Sequence, residues 1–197
     1  MTDAPRILII AQKDLNPTQR AEIVELCSRA YSEDFSSVVQ LPDDQPIHSL
    51  AYLNGNLVSH ALWFTRLLDY NGIPLQSAYV EAVATEPAYQ GRGYASILLR
   101  HLARAITAYD IGALSPSDPA FYARLGWELW RGSLFVAAEA EIAPTPEYRV
   151  MILRVATCVW ASCSPTPDAA DPPESGDLTV QTCSNVVPIE PCNPARG

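Results

Sequence analysis

Apolar and polar residues alternate along this chain with two different periods, and the switches between them mark out the elements. "RILIIAQ" (6–12) is a short apolar run that reads as a first strand. "NPTQRAEIVELCSRAYS" then turns helical: Asn16 suits an N-cap, Pro17 the first helical position, and Ile23, Leu26, Cys27 and Ala30 fall on one face. "IHSLAYLNGNLVSHALWF" alternates on both sides of Asn54-Gly55, the strongest short-range hairpin signal. A second pair, Asn71-Gly72, turns "LWFTRLLDY" into "IPLQSAYVEAVAT", so residues 47–85 are predicted to form a three-stranded antiparallel meander. Tyr94, Leu98, His101, Leu102 and Ala105 mark a helix of about four turns.

"DIGALSP" reads as a short buried strand, parallel to the strand at 79–85 because a crossover helix joins them. "DPAFYARLGW" predicts a short helix with Asp118 as N-cap, Pro119 at its first position and Gly126 as C-cap. Two further strands are expected near 127–138 and 147–156. After Ser162 the chain becomes dense in Pro, Asp and Ser and loses its periodicity. The reading is one α/β domain over 1–161 with a mixed, mostly antiparallel sheet, and an unstructured tail over 162–197.

Composition narrows the function. The 197 residues carry a net charge of −9, with Lys13 the only lysine and no basic run. That argues against nucleic acid and anionic membranes and favours a cationic partner or substrate. No stretch approaches a membrane span and the first residues lack a signal-peptide pattern, so the expected location is the cytoplasm. Cys27 lies in a helical pattern, and Cys158, Cys163, Cys183 and Cys192 match no zinc spacing, so free thiols are expected. His48, His60 and His101 have no carboxylate at ligand spacing, so no metal is expected; His60 reads as a packed or surface histidine, with a place lining a substrate pocket as the alternative. Ser115 and Ser117 lack a nucleophile-elbow context, which argues against a hydrolase. A monomer and a homodimer are both open.

The stretch with the most chemistry is "YVEAVATEPAYQGRGYASILLRHL", an apolar strand entering a two-glycine loop that opens a helix. Free amides and the positive end of a helix dipole meet there, an arrangement suited to a phosphate. The third glycine of a dinucleotide fingerprint and the Gly-Lys-Ser/Thr of an ATP loop are missing. A strand-to-helix turn serving no ligand is the plain alternative. Glu81, set among Tyr79, Val80 and Ala82, is a carboxylate in an apolar strand; it is expected to open into a cleft or to pair with an arginine such as Arg66 or Arg124.

Gln90-Gly91-Arg92-Gly93-Tyr94-Ala95 resembles the Q/R-x-x-G-x-G/A signature of the GNAT acetyltransferase superfamily, and the surrounding element order resembles that fold as well. Within it, "AYVEAVAT", "GALS" and "FYAR" followed by "LGW" look like the aminoglycoside 2'-N-acetyltransferases. The resemblance implies a fold with acetyl-CoA held after the fourth strand and an enzyme that acetylates the 2'-amine of an aminoglycoside by direct transfer. The amides of Gln90, Gly91, Arg92, Gly93, Tyr94 and Ala95 would hold the pyrophosphate, and Val83, Ala84 and Thr85 the pantetheine arm. Tyr122 would protonate the departing thiolate and Glu81 would act as base through water. The acidic C-terminal ending with which that subfamily grips its sugar is missing here. Glu33, Asp34, Asp43 and Asp44 would then have to supply it, with Ser115 as a further contact to substrate or CoA. Another small amine, a peptide amine, or an acyl-CoA-binding module without catalysis remain the alternatives.

Overall fold

The computed structural model describes residues 4–39, 45–138, 141–145, 147–155 and 177–181. Cys158, Cys163, Cys183, Cys192, Asp43 and Asp44 lie outside them. The chain forms two compact units, Met1–Phe64 with Val80–Ala105, and Thr65–Tyr79 with Ile106–Gly197.

In the first unit β1 (Arg6–Ala11) pairs antiparallel with β2 (Ile47–Leu53), and β2 antiparallel with β3 (Asn56–Tyr70). Asn54 and Gly55 both take left-handed backbone (φ 50° and 84°), as the Asn-Gly pair requires. The β2–β3 register slips by one residue between Ala51 and Tyr52, a bulge that the even alternation of the sequence did not announce. Helix α1 (Pro17–Tyr31) starts at the expected Asn16, whose side chain accepts from the Gln19 amide at 2.9 Å while Gln19 accepts in return from the Asn16 amide. It buries Ile23, Leu26 and Cys27. Helix α2 (Tyr94–Ala105) packs on β2 through an apolar face of Leu98, Leu99 and Leu102. It runs for three turns rather than four, and His101 lies on its exposed side.

β3 and β4 (Ile73–Thr85) are long enough to contribute to both units, and Asn71-Gly72 joins them with the same left-handed pair (φ 49° and 84°). In the second unit the strand order is β6-β9-β5-β4-β3-β10-β7-β8. Here β5 is Ile111–Leu114, β6 Glu128–Leu129, β7 Leu134–Ala138, β8 Glu141–Pro144, β9 Met151–Arg154 and β10 Leu178–Gln181. The strand expected at 127–138 is two strands far apart in that order, separated at Arg131-Gly132-Ser133. Helix α3 (Pro119–Ala123) is capped by Asp118, which accepts from Ala120 and Phe121. Its C-cap is Arg124; Gly126 comes two residues later and supplies the left-handed φ of 88°.

One part of the stretch expected to be unstructured is a strand. β10 pairs antiparallel with β3 and parallel with β7, and Leu178 is fully buried. Four residues are too short to show a period in the sequence. Leu178 gains its place from the β3 and β7 edges on either side.

Candidate acyl-donor site

The apolar strand β4 kinks before it ends. Ala82 takes φ 50°, a left-handed conformation costing an alanine about 1–2 kcal/mol, in the middle of β4. From the kink onward, side chains bond three successive carbonyls. His60 Nδ1 lies 2.9 Å from the Ala82 carbonyl oxygen, Tyr31 donates its hydroxyl to Val83 at 2.9 Å, and Ser59 donates to Ala84 at 2.9 Å. The side-chain amide of Gln90 donates to the Thr85 carbonyl at 3.2 Å, closing the loop back on the strand that feeds it. Glu81, Val83 and Thr85 are half-buried, whereas Ala82 and Ala84 are buried.

The loop itself is a 3₁₀ turn over Pro87–Tyr89 followed by Gln90–Gly93. Arg29 of α1 anchors its start, through Nε and Nη2 both near 3 Å from one Glu86 oxygen. Gly91 and Gly93 have φ 72° and 84°, and a Cβ at either would meet nothing within 4 Å. The backbone therefore faces open space in a conformation that side chains resist. The first intrahelical bond of α2 runs from Ile97 to the Gly93 carbonyl (3.0 Å), leaving the first-turn amides without helical partners. The Arg92 guanidinium lies over the Tyr89 ring at 5.2 Å, and Tyr89 meets Tyr94 edge-on. Exposed cationic charge, unengaged amides and the helix dipole converge there, and the residues present fit a pyrophosphate.

Glu33 and Asp34 follow α1 and are exposed; Asp34 is engaged by the amide and hydroxyl of Ser36, at 2.9 and 3.2 Å. These two and residues 81–95 belong to the first unit. The second carries Ser115, exposed just after β5, and Tyr122. Tyr122 is buried on α3 with its ring edge-on to Phe121 (5.0 Å) and Trp127 (6.3 Å). Burial first, and the Asp118 carboxylate second, push its hydroxyl up to about 12, so it stays protonated at neutral pH. Among the described residues no group of His, Cys, Asp and Glu could hold a metal.

Tyr31 and Ser59 carried no signal in the sequence, and His48 and His60 were assigned no role at the site. His60 was read as a packed or surface histidine; it is packed, and it also holds a carbonyl of the site's own strand. An isolated histidine in an apolar alternation was the only available signal.

Residues 13–130 match the family model for an acetyltransferase (GNAT) domain. The chain is 31% identical over 142 residues to an aminoglycoside 2'-N-acetyltransferase of Mycolicibacterium fortuitum, covering 71% of this chain and 73% of that one. Among solved structures, the GNAT family N-acetyltransferase YhbS of Escherichia coli in complex with CoA superposes with a TM-score of 0.62 at 19% identity, covering 91% of this chain and 92% of that one. A GCN5-related N-acetyltransferase from Kribbella flavida superposes over 64% of this chain at 20% identity and a TM-score of 0.52; this chain spans about a third of that one, 34%.

Proposed function

The chain belongs to the GNAT acetyltransferase family, and on that premise we propose that it transfers acetyl from acetyl-CoA directly to the 2'-amine of an aminoglycoside. The observation that carries the acyl-donor half is the Gly91–Gly93 loop: open left-handed backbone at the N-terminus of α2, directly after β4. Amides from Gln90 to Ala95 hold the pyrophosphate, and Arg92 adds a charge-assisted contact. The pantetheine arm runs along Val83–Thr85. Tyr31 of α1 donates to the Val83 carbonyl and so ties this part of the strand to the helix beside it. The Val83 amide meets the thioester carbonyl and stabilises the oxyanion as the amine attacks.

The acceptor must arrive as a free amine, because an ammonium has no lone pair. Glu81, half-buried beside the kink, takes that proton through water. Tyr122 is neutral and able to donate a hydrogen bond to the departing thiolate. The acceptor class rests on the relative's name and on charge: −9 overall gives a polycation a favourable field, and Glu33 and Asp34 are exposed carboxylates. Those contacts are screened, so acceptor binding weakens steeply with salt.

The test is purified protein with acetyl-CoA and a panel of amines, read as free thiol. Aminoglycosides with a 2'-amine should be acetylated and their 2'-hydroxyl analogues should not. Equal turnover of both rejects the 2' assignment. Turnover only of other amines moves the acceptor while leaving the acyl-donor site in place.

A further inference from the structure

Two imidazoles are buried in line behind the kinked strand, and the bonds they make have a direction. A carbonyl oxygen only accepts, so His60 Nδ1 must carry the proton it donates to Ala82 at 2.9 Å. His60 Nε2 is then a bare acceptor and takes the Nδ1 proton of His48 at 3.0 Å. His48 Nε2 is bare in turn and lies 3.3 Å from Gln12 Oε1, so the relay requires the Gln12 side-chain amide in its other orientation. A half-turn of that amide presents its N–H to the ring. The rings lie 5.3 Å apart, and burial holds both neutral, His60 down to about 4 and His48 down to about 3. Cys27 Sγ, at 3.5 Å from His60 Nδ1, is a buried neutral thiol and the weaker claimant on that proton.

The chain of donors ends on one particular peptide. The Ala82–Val83 peptide is trans, so the N–H of Val83 points opposite to the Ala82 carbonyl, away from His60. The same peptide is the one rotated by the left-handed alanine. An extended strand would aim this carbonyl along the sheet; His60 instead fixes it in its rotated position.

We propose that Gln12, His48 and His60 form a hydrogen-bond relay that holds the Ala82–Val83 peptide so that the Val83 N–H is presented to the thioester carbonyl, which makes His60 a positioning residue for acetyl transfer. This rests on the acetyltransferase reading above. Polarising the peptide at its oxygen also strengthens its N–H as a donor, since bonded dipoles in series reinforce one another.

The first measurement needs no variant of the pair. Full-length protein labelled with ¹⁵N-histidine, with His101 assigned through His101→Gln, should show His48 and His60 as neutral Nδ1–H tautomers at neutral pH. An Nε2–H form of either overturns the relay. The second compares His60→Leu, which lacks the donor, with His60→Asn, whose amide can replace Nδ1–H. With acetyl-CoA alone and thioester hydrolysis read as free thiol, His60→Leu should be slower by about 100-fold, the size expected when a donor is misplaced rather than removed. Acetyl-CoA affinity by calorimetry should change by less than about threefold, and His60→Asn should recover most of the rate. A folded His60→Leu protein with the wild-type rate, or with affinity falling in step with rate, overturns the inference. If His60→Leu does not fold, His48→Leu serves, since it removes the donor to His60; a wild-type rate there has the same force. Wild-type protein that fails to bind acetyl-CoA rejects the acetyltransferase reading itself, a result separate from any behaviour of His60.

Discussion

Acidification should destabilise this protein well before its carboxylates titrate. Of the three histidines, His48 and His60 are fully buried. Burial is the main cause that lowers both, and for His48 the neighbouring His60 and Arg20 add to it, from 6.5 to about 3 for His48 and about 4 for His60. The sign follows from which state binds protons. The unfolded chain takes them up near 6.5 and the folded one does not, so the stability is whole above about pH 6.5 and falls as pH drops below it. The loss levels off only below the folded values. At about pH 5 an unfolded histidine is almost wholly charged while the buried one is neutral, a difference of about 2 kcal/mol per site. The pair shares one hydrogen bond and titrates jointly, so the combined loss is about 2–4 kcal/mol. With a urea slope of about 2 kcal/mol per M, the midpoint should move by roughly 1–2 M between pH 7.5 and pH 5. Tryptophan fluorescence in urea at several pH values measures it. A His48→Gln/His60→Asn double variant should flatten the dependence. A midpoint that stays constant over that window, or an equal slope in the double variant, would refute the assignment of two neutral buried imidazoles.

Gly93→Val should lose acetyl-CoA affinity by about 2 kcal/mol or more in calorimetry, because a β-branched residue resists φ 84° and stands where the anion must approach. Unchanged affinity in folded protein would remove the pyrophosphate from this loop. Tyr122→Phe should lower turnover by about 10²-fold or more with acetyl-CoA affinity nearly intact, and a fully active variant would make Tyr122 a packing residue. Leu178→Ala should lower the unfolding free energy by about 2–4 kcal/mol, as expected for a fully buried leucine; an unchanged melt would mean that β10 adds nothing to the folded sheet.

What the sequence determined by itself was the set of features written into a few consecutive residues. Asn54-Gly55 and Asn71-Gly72 specify hairpin turns because those residues accept left-handed backbone, and both turns formed where expected. Asn16-Pro17 and Asp118-Pro119 specify helix starts through local hydrogen bonds and a preset φ. The glycine loop was legible for the same reason, since its geometry depends on Gly91, Gly93 and the helix they open. The remaining features depended on residues far apart in the chain. β10 exists only because β3 and β7 offer edges to four residues with no pattern of their own. The histidine pair shows the difference most directly. Extending the Asn54-Gly55 turn without a bulge would set His60 opposite Ser49, and His48 on the other face of the sheet. The one-residue slip at Ala51/Tyr52 sets His60 opposite Leu50 and His48 opposite Leu62, bringing both imidazoles to one face. Side chains alternate every residue along a strand, so a single slip reverses which face each one meets, and that slip is decided by packing across the sheet rather than by the residues that make it.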